Sequence, residues 1–251
     1  MPQLTAIARF PVKGLGPDWL TEVDLEAGHT LPDDRAFAIE HGQSPFDPAH
    51  PAHVKKKHFL MLAGQAGLAR LSCRYCTLDR RFTVSLDGRE TSVILDDAAT
   101  HPPLFDLLND LLGEDIRGGL RIVHAPGQAM TDIPEPHISL INAASVRDLS
   151  ETAGKPLDPV RFRGNVLIDG LEPWAEFGWT GQDIRIGEVR LRVERRIGRC
   201  AATSVNLATG TRDIDVPKIL FEHYGHTDCG LYLDVKSSGR IALGDPVEPI
   251  G

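Results

Sequence analysis

The chain has 251 residues, of which 41% are hydrophobic and 25% charged, the balance of a globular protein able to bury a full core. Its net charge of -8 argues against nucleic acid or an anionic membrane as partner, and no apolar run is long enough to span a bilayer. Four cysteines are too sparse for a disulfide framework, and Met1–Thr5 lacks the basic-then-apolar pattern of a signal peptide, so a cytoplasmic chain is expected.

The first hundred residues are rich in strand signals. Leu4–Phe10 alternates loosely before a Pro11-Val12-Lys13-Gly14 turn, and Ala36–Glu40 reads as a strand after the Asp33-Asp34-Arg35 corner. The segment Gln43–Lys57, with its Pro, His and Lys, reads as an exposed loop, and Lys55-Lys56-Lys57 as a solvated charge run. Strands are expected over Gly67–Leu78, Phe82–Leu86 and Ser92–Leu95, the last two joined by an Asp87-Gly88 hairpin turn.

Helical spacing of Leu104, Leu107, Leu108, Leu111 and Leu112 predicts a helix ended by Gly113, and Asn142 predicts the cap of a second that closes at Gly154. Strands come next near Asn165–Asp169, Asp183–Ile186 and Glu188–Arg195. Pro217 opens a third helix reaching His223, and strands Leu231–Val235 and Val247–Ile250 end the series. Short strands around three helices predict a barrel-like β architecture with helical insertions, an α+β class, with the internal boundary near Gly118-Gly119.

Several constellations carry possible chemistry. Cys200 stands beside Arg199, after an alternating strand and before a loop of small and hydroxylated residues. A lone cysteine is more often core filler, but a thiol next to a fixed cation is favoured as thiolate, the form that binds soft metals or attacks electrophiles. Arg161-Phe162-Arg163-Gly164-Asn165 places two guanidiniums and a carboxamide at a strand entry, a pattern that suits phosphate oxygens as well as a solvated edge. Lys13, on its turn, could hold an anion in the same way. Cys73 and Cys76 match C-x-x-C, but in a strand positions three apart face opposite ways, which opposes chelation. His223, His226 and Cys229 have ligand-like spacing with Cys200, across a helix end and a loop that need not converge.

The stretch Arg199–Gly210, preceded by Arg163-Gly164-Asn165 and followed by Gly244-Asp245-Pro246-Val247, resembles the MOSC domain, named for the C-terminus of molybdenum cofactor sulfurases. Phe10-Pro11-Val12-Lys13 and Asp34-Arg35 resemble the β-rich segment that precedes this domain in the branch of amidoxime-reducing proteins. The resemblance implies a β-rich N-terminal domain over 1–118, packed on a β-barrel-like MOSC domain over 119–251. It implies a molybdenum cofactor, a metal-bearing molybdopterin, with Cys200 as the protein ligand and catalytic residue, and no pyridoxal phosphate. By motif position, Lys13, Arg35, Ser145, Arg163, Asn165, Arg199 and Tyr232 would contact the pterin or its phosphate.

The implied activity is reduction of N-hydroxylated compounds, such as amidoximes, hydroxylamines or N-hydroxylated bases. Electrons would come from a separate ferredoxin-like or cytochrome b5-like donor protein. An alternative is a cofactor carrier or sulfur-transfer module bearing a Cys200 persulfide, and a further one is a zinc-stabilised domain. Two departures from the family pattern stand out. Gly14 replaces a usual Ser, removing a hydroxyl contact, and Gly164 replaces a usual Pro, which should loosen its turn.

Overall fold

A computed structural model describes residues 1–47, 54, 56–125 and 129–250. In chain order the strands of the first part are β1 (Gln3–Arg9), β2 (Asp18–Leu20), β3 (Glu22–Leu25), β4 (Phe37–His41), β5 (Ser72–Cys76), β6 (Arg81–Leu86), β7 (Arg89–Ile94) and β8 (Leu120–His124), with helix α1 (Pro102–Leu112) before β8. Then come β9 (Ile138–Asn142), α2 (Ala143–Thr152), β10 (Val166–Asp169), β11 (Asp183–Ile186), β12 (Val189–Gly198), α3 (Val216–Tyr224), β13 (Asp228–Val235), β14 (Gly239–Ala242) and β15 (Val247–Ile250).

Eight strands form the main sheet in the order β15-β11-β12-β13-β9-β10-β1-β2. Its one parallel pair, β9 with β10, is joined by α2, as a parallel crossover requires. The sheet curls until its far side meets the start of β1. Gln3 bridges Pro246, Val247 N donates to Pro2 O at 2.9 Å, and Leu4 N donates to Asp245 O at 2.9 Å. Inside this near-closed barrel lie Leu4, Ile7, Leu140, Ile168, Ile184, Leu191 and Leu233, and the β3–β14 pair adds Leu25 and Ile241. The expected mainly β, barrel-like fold with helical insertions is the one observed.

A second core gathers Phe37 and Ile39 of β4, Phe82 and Val84 of the β5-β6-β7 sheet, and Leu104, Leu107 and Leu108 of α1. The helices obey their sequence signals. Asn142 Oδ1 accepts from Ala144 N at 3.1 Å as the α2 cap, and α1 stops at Gly113. Two expectations are corrected. Gly67–Leu78 is not one strand, because Ala66–Arg70 winds into a 3-10 turn before β5. Strands β2, β3, β8, β9 and β14 join those read from the sequence. Part of the loop expected over Gln43–Lys57, with Lys55, lies outside the described residues. Among the described residues no helix is long and apolar enough to cross a membrane.

One strand irregularity positions the site. β12 alternates cleanly through Val189, Leu191 and Val193, all buried, with Arg190 exposed between them. Its register against β13 then slips between Val193 and Arg195 and again between Arg196 and Gly198. Such bulges bend a strand and re-aim the residues beyond them. Here they deliver Arg199 and Cys200 to the mouth of a cavity.

Candidate functional site

The cavity has a volume of about 180 Å³ and is walled by distant parts of the chain: Lys13 and Arg35 from the N-terminal part, Arg163 and Asn165 before β10, Arg199 and Cys200 after β12, and Tyr232 on β13. Cys200 is exposed at this rim. Its carbonyl accepts from both Thr203 N at 3.1 Å and Thr203 Oγ1 at 2.9 Å, which fixes the turn on which the thiol sits.

Arg163 adopts a left-handed backbone, φ 51°, after the turn Pro159–Phe162. Its Nη1 donates to Leu15 O at 2.8 Å, and its guanidinium lies 4.2 Å over the Phe10 ring. Arg35 stacks on the same ring at 4.5 Å, pairs with Asp34, and donates from Nη2 to Arg163 O at 3.0 Å. Burial and the neighbouring Arg35 charge push the Arg163 pKa down to about 9. Arg199 donates from Nε to Cys229 O at 2.7 Å and from Nη1 to Phe162 O at 2.8 Å. Its Nη2 is buried without a hydrogen-bond partner, and burial lowers its pKa. Neither Arg163 nor Arg199 has a carboxylate partner among the described residues. Two desolvated guanidiniums bonded only to carbonyls make a site for an anion.

The lysines are arranged differently. Lys13, buried, donates to Met130 O at 2.8 Å and to Asp132 at 2.7 Å; burial lowers its pKa while Asp132 works the other way. Lys56 also reaches Asp132, at 3.0 Å. Burial alone would raise the Asp132 carboxyl, but the two lysines outweigh it and bring it down to about 2. Lys13 thus keeps one N–H for a ligand. Asn165 commits three of its four hydrogen-bonding positions to protein: Oδ1 accepts from Ser139 N and Oγ, and Nδ2 donates to Ala8 O at 3.2 Å.

Ser145 is not brought to the cavity. It lies buried on α2, where its hydroxyl donates to Glu176 at 2.8 Å and accepts from Trp174 N at 2.8 Å. Its inward face on α2 serves the packing of 174–176. Arg161, grouped with Arg163 in the sequence, is 4% exposed and grips Asp213 through both nitrogens, at 2.9 and 3.2 Å. Cys73 is buried and Cys76 exposed on β5, facing opposite ways as expected. Among the described residues no three His, Cys, Asp or Glu side chains converge as a metal cluster, and Cys229 is enclosed in the α2–α3 core.

Gly164 does not loosen its turn. A Cβ there would lie 2.4 Å from Ile141 Cγ1, so the backbone packs directly on β9. At Gly14, φ 83°, a Cβ would lie 2.5 Å from Leu60 O, which leaves no room for the serine side chain of the family pattern. The sequence reading missed Asp132 and His137. His137 Nδ1 is buried without a partner, and its ring lies 5.7 Å from that of Tyr232. Pro134 and Pro136 around it broke any periodic signal.

The sequence profile of the MOSC domain matches residues 123–248, half of the chain. The chain belongs to the MOSC domain family. Among its MOSC relatives, mitochondrial amidoxime-reducing component 1 of Danio rerio is 32% identical over 45% of this chain and 37% of the relative. The human protein of that name is 28% identical over 45% of this chain and 36% of the relative. A molybdenum cofactor sulfurase of Anopheles gambiae is 27% identical over 93% of this chain and 34% of the relative. The chain thus spans little more than a third of the length of these relatives. Among solved structures, the YUAD protein from Bacillus subtilis is 13% identical with a TM-score of 0.45, covering 99% of this chain and 96% of that one.

The residues present fit the cofactor that the resemblance implied. The buried, unpartnered Arg199 Nη2 and the carboxylate-free Arg163 suit an anionic phosphate, and Cys200 offers a soft, solvent-reachable sulfur on the same rim.

Proposed function

We propose that this chain holds a molybdenum-bearing pterin in the Arg163–Arg199 cavity and reduces N-hydroxylated compounds there, with electrons from a separate protein. The observation that carries this reading is the orphaned Arg199 Nη2 buried beside an exposed Cys200. When bound, such a cofactor supplies the metal centre at which an N–O bond is reduced. Cys200 provides the thiolate that fixes the metal. Arg163 and Arg199 hold the phosphate by charge-assisted hydrogen bonds, with Arg35 and the remaining Lys13 N–H beside them. Tyr232 forms part of the wall, and Asn165, tied to Ser139 and Ala8, keeps β9 and β1 in register around the ligand. The relatives named amidoxime-reducing component support the reductase reading; those named molybdenum cofactor sulfurase keep a carrier or persulfide role as the second.

Molybdenum and pterin content of protein made in a cofactor-competent host, with turnover of an aromatic amidoxime by a chemical reductant, decides among them. The wild type is expected to carry molybdenum and turn over. Cys200→Ser should lose turnover while unfolding within about 0.5 kcal/mol of wild type, the range for exposed positions. Molybdenum without turnover, together with a persulfide on Cys200 by mass spectrometry, would establish the carrier. Full activity in Cys200→Ser would end the proposal.

A further inference from the structure

One side chain in the cavity wall has no part in the function proposed above. His137 lines the cavity just ahead of β9, with its ring 5.7 Å from that of Tyr232 and tilted 39° to it. Its backbone is pinned on both sides: N donates to Glu135 O at 2.9 Å, and O accepts from Thr30 Oγ1 at 3.2 Å. Among the described residues no hydrogen bond reaches its ring. Nδ1 is sealed from water without a partner, and Nε2, also without one, is not sealed. By contrast, His41, His58, His101 and His226 each spend a ring nitrogen on a backbone group. A partly buried imidazole with both nitrogens unspent is free to serve a ligand.

The chemistry asks for a proton source at this place. Turning R–C(NH2)=N–OH into R–C(NH2)=NH and water breaks the N–O bond and takes up two electrons and two protons. The electrons come from the separate reductant, but the protons have to be delivered inside the cavity. Its other walls are poor donors. The guanidiniums of Arg35, Arg161, Arg163 and Arg199 and the hydroxyls of Ser139, Thr203 and Tyr232 are of types that keep their protons near neutral pH. Asp132, brought down to about 2, carries none. Burial lowers the Lys13 pKa, but deprotonation there would undo the ion pair that holds Asp132. Burial would lower Lys56 too, yet Asp132 outweighs it and keeps the proton on. Imidazole is the side chain that gains and loses a proton near neutrality.

Given the reductase reading, we infer that His137 is the proton donor of the reduction. Its imidazole gives a proton to the oxygen as the N–O bond breaks, that oxygen leaves as water, and the ring regains a proton from solvent at the unsealed Nε2. The charged groups that share the wall with it are Lys13, Lys56 and Asp132, and Arg195 lies 4.6 Å over the ring of its neighbour Tyr232. Glu135, two residues before it, is exposed. Among the described residues none of these makes an ion pair with the His137 ring, so proton exchange there breaks no salt bridge.

The wild type is compared with His137→Gln and His137→Ala, each checked for folding by circular dichroism and for molybdenum content. The ring makes no hydrogen bond, so neither change strands a partner and both variants should fold. With benzamidoxime and a chemical reductant, kcat should fall by about 10²- to 10⁴-fold in both, the usual share of a general acid, at wild-type molybdenum content. Added imidazole should restore turnover to His137→Ala, where the missing ring leaves room, but not to His137→Gln. Near-wild-type kcat in His137→Gln overturns the inference, because a hydrogen bond without proton exchange then suffices. So does a fall in molybdenum that matches the fall in activity, because His137 would then hold the cofactor. A readout free of turnover is acylation by diethyl pyrocarbonate, which attacks imidazole nitrogen. Peptide mass spectrometry should find His137 modified in cofactor-free wild type and protected in the molybdenum-loaded protein. An unreactive His137, or one equally reactive in both, also overturns the inference. A wild type without turnover would sink the proposed function and this role together, whereas wild-type turnover matched by His137→Gln sinks this role alone.

Discussion

Arg199 is held by what its neighbours lack. Gly230 on β13 has φ 84°, and a Cβ there would lie 2.4 Å from Leu140 O and 3.0 Å from Arg199 Nη2. The missing side chain lets the guanidinium pass between β13 and the cavity. Gly230→Ala should cost about 1–2 kcal/mol for the left-handed backbone and about 1–3 kcal/mol more for overpacking, read by urea unfolding. Stability unchanged in that variant would mean the guanidinium has room to move aside. Arg163→Ala tests the charge instead. A charge-assisted phosphate contact is worth about 1.5–3 kcal/mol, so cofactor retention should fall by about one to two decades with turnover per bound molybdenum preserved. Full occupancy with lost turnover would place Arg163 at the substrate.

At the scale of elements, the loop after Cys200 is a clamped unit. Val205 bridges Arg212, Asn206 Nδ2 donates to Asp213 at 2.7 Å, and Asp213 also meets Lys155 at 2.6 Å and the buried Arg161. The Arg161 bonds hold the Asp213 carboxyl well below the usual carboxylate range. A carboxyl depressed on folding contributes stability above its unfolded pKa, about 3.9, and loses it as pH falls through the lower folded value. Asp213→Asn leaves Arg161 charged and buried, at a cost of about 3 kcal/mol, the low end for a broken buried pair. The gap between wild type and variant in urea should be widest at neutral pH and close as the pH drops below about 4. A gap independent of pH would show that packing, not charge, closes the loop.

The same element-scale view explains what the sequence made legible. β12 and α1 were readable because their apolar residues repeat at one period and meet one core. β9 was not: Ile138–Asn142 is buried at every position, so it shows no alternation. β2, at three residues, is too short to set a pattern. Cys200 beside Arg199 is legible as a local pair of thiol and charge, whereas Arg163 reads from spacing alone as well as a solvated edge. His137 reaches the cavity because it leads into β9, and Asp132 because Lys13 and Lys56 hold it there, tertiary facts without a local signature. Ser145 had the right motif position, but the α2 turn aims it at Glu176.

Over the whole molecule, the N-terminal segment is structural for the C-terminal half. β1 sits inside the main sheet between β10 and β2, and residues 2–4 bond to the chain entering β15, which nearly closes the barrel. β3 pairs with β14, and β4 with β8, so pairings cross residue 118 at several places. The family match over 123–248 therefore leaves out two strands, β1 and β2, of the sheet it belongs to. A 119–251 fragment would expose the β10 edge and the barrel interior where Leu4 and Ile7 pack. Such edges and apolar faces drive association. The fragment is expected to aggregate or give a non-cooperative urea transition, and co-expression with 1–118 should restore a soluble complex. A cooperative transition in the isolated fragment, with near-ultraviolet circular dichroism of packed aromatics, would show that β1 is dispensable and that the cavity's N-terminal wall was added to a barrel already complete.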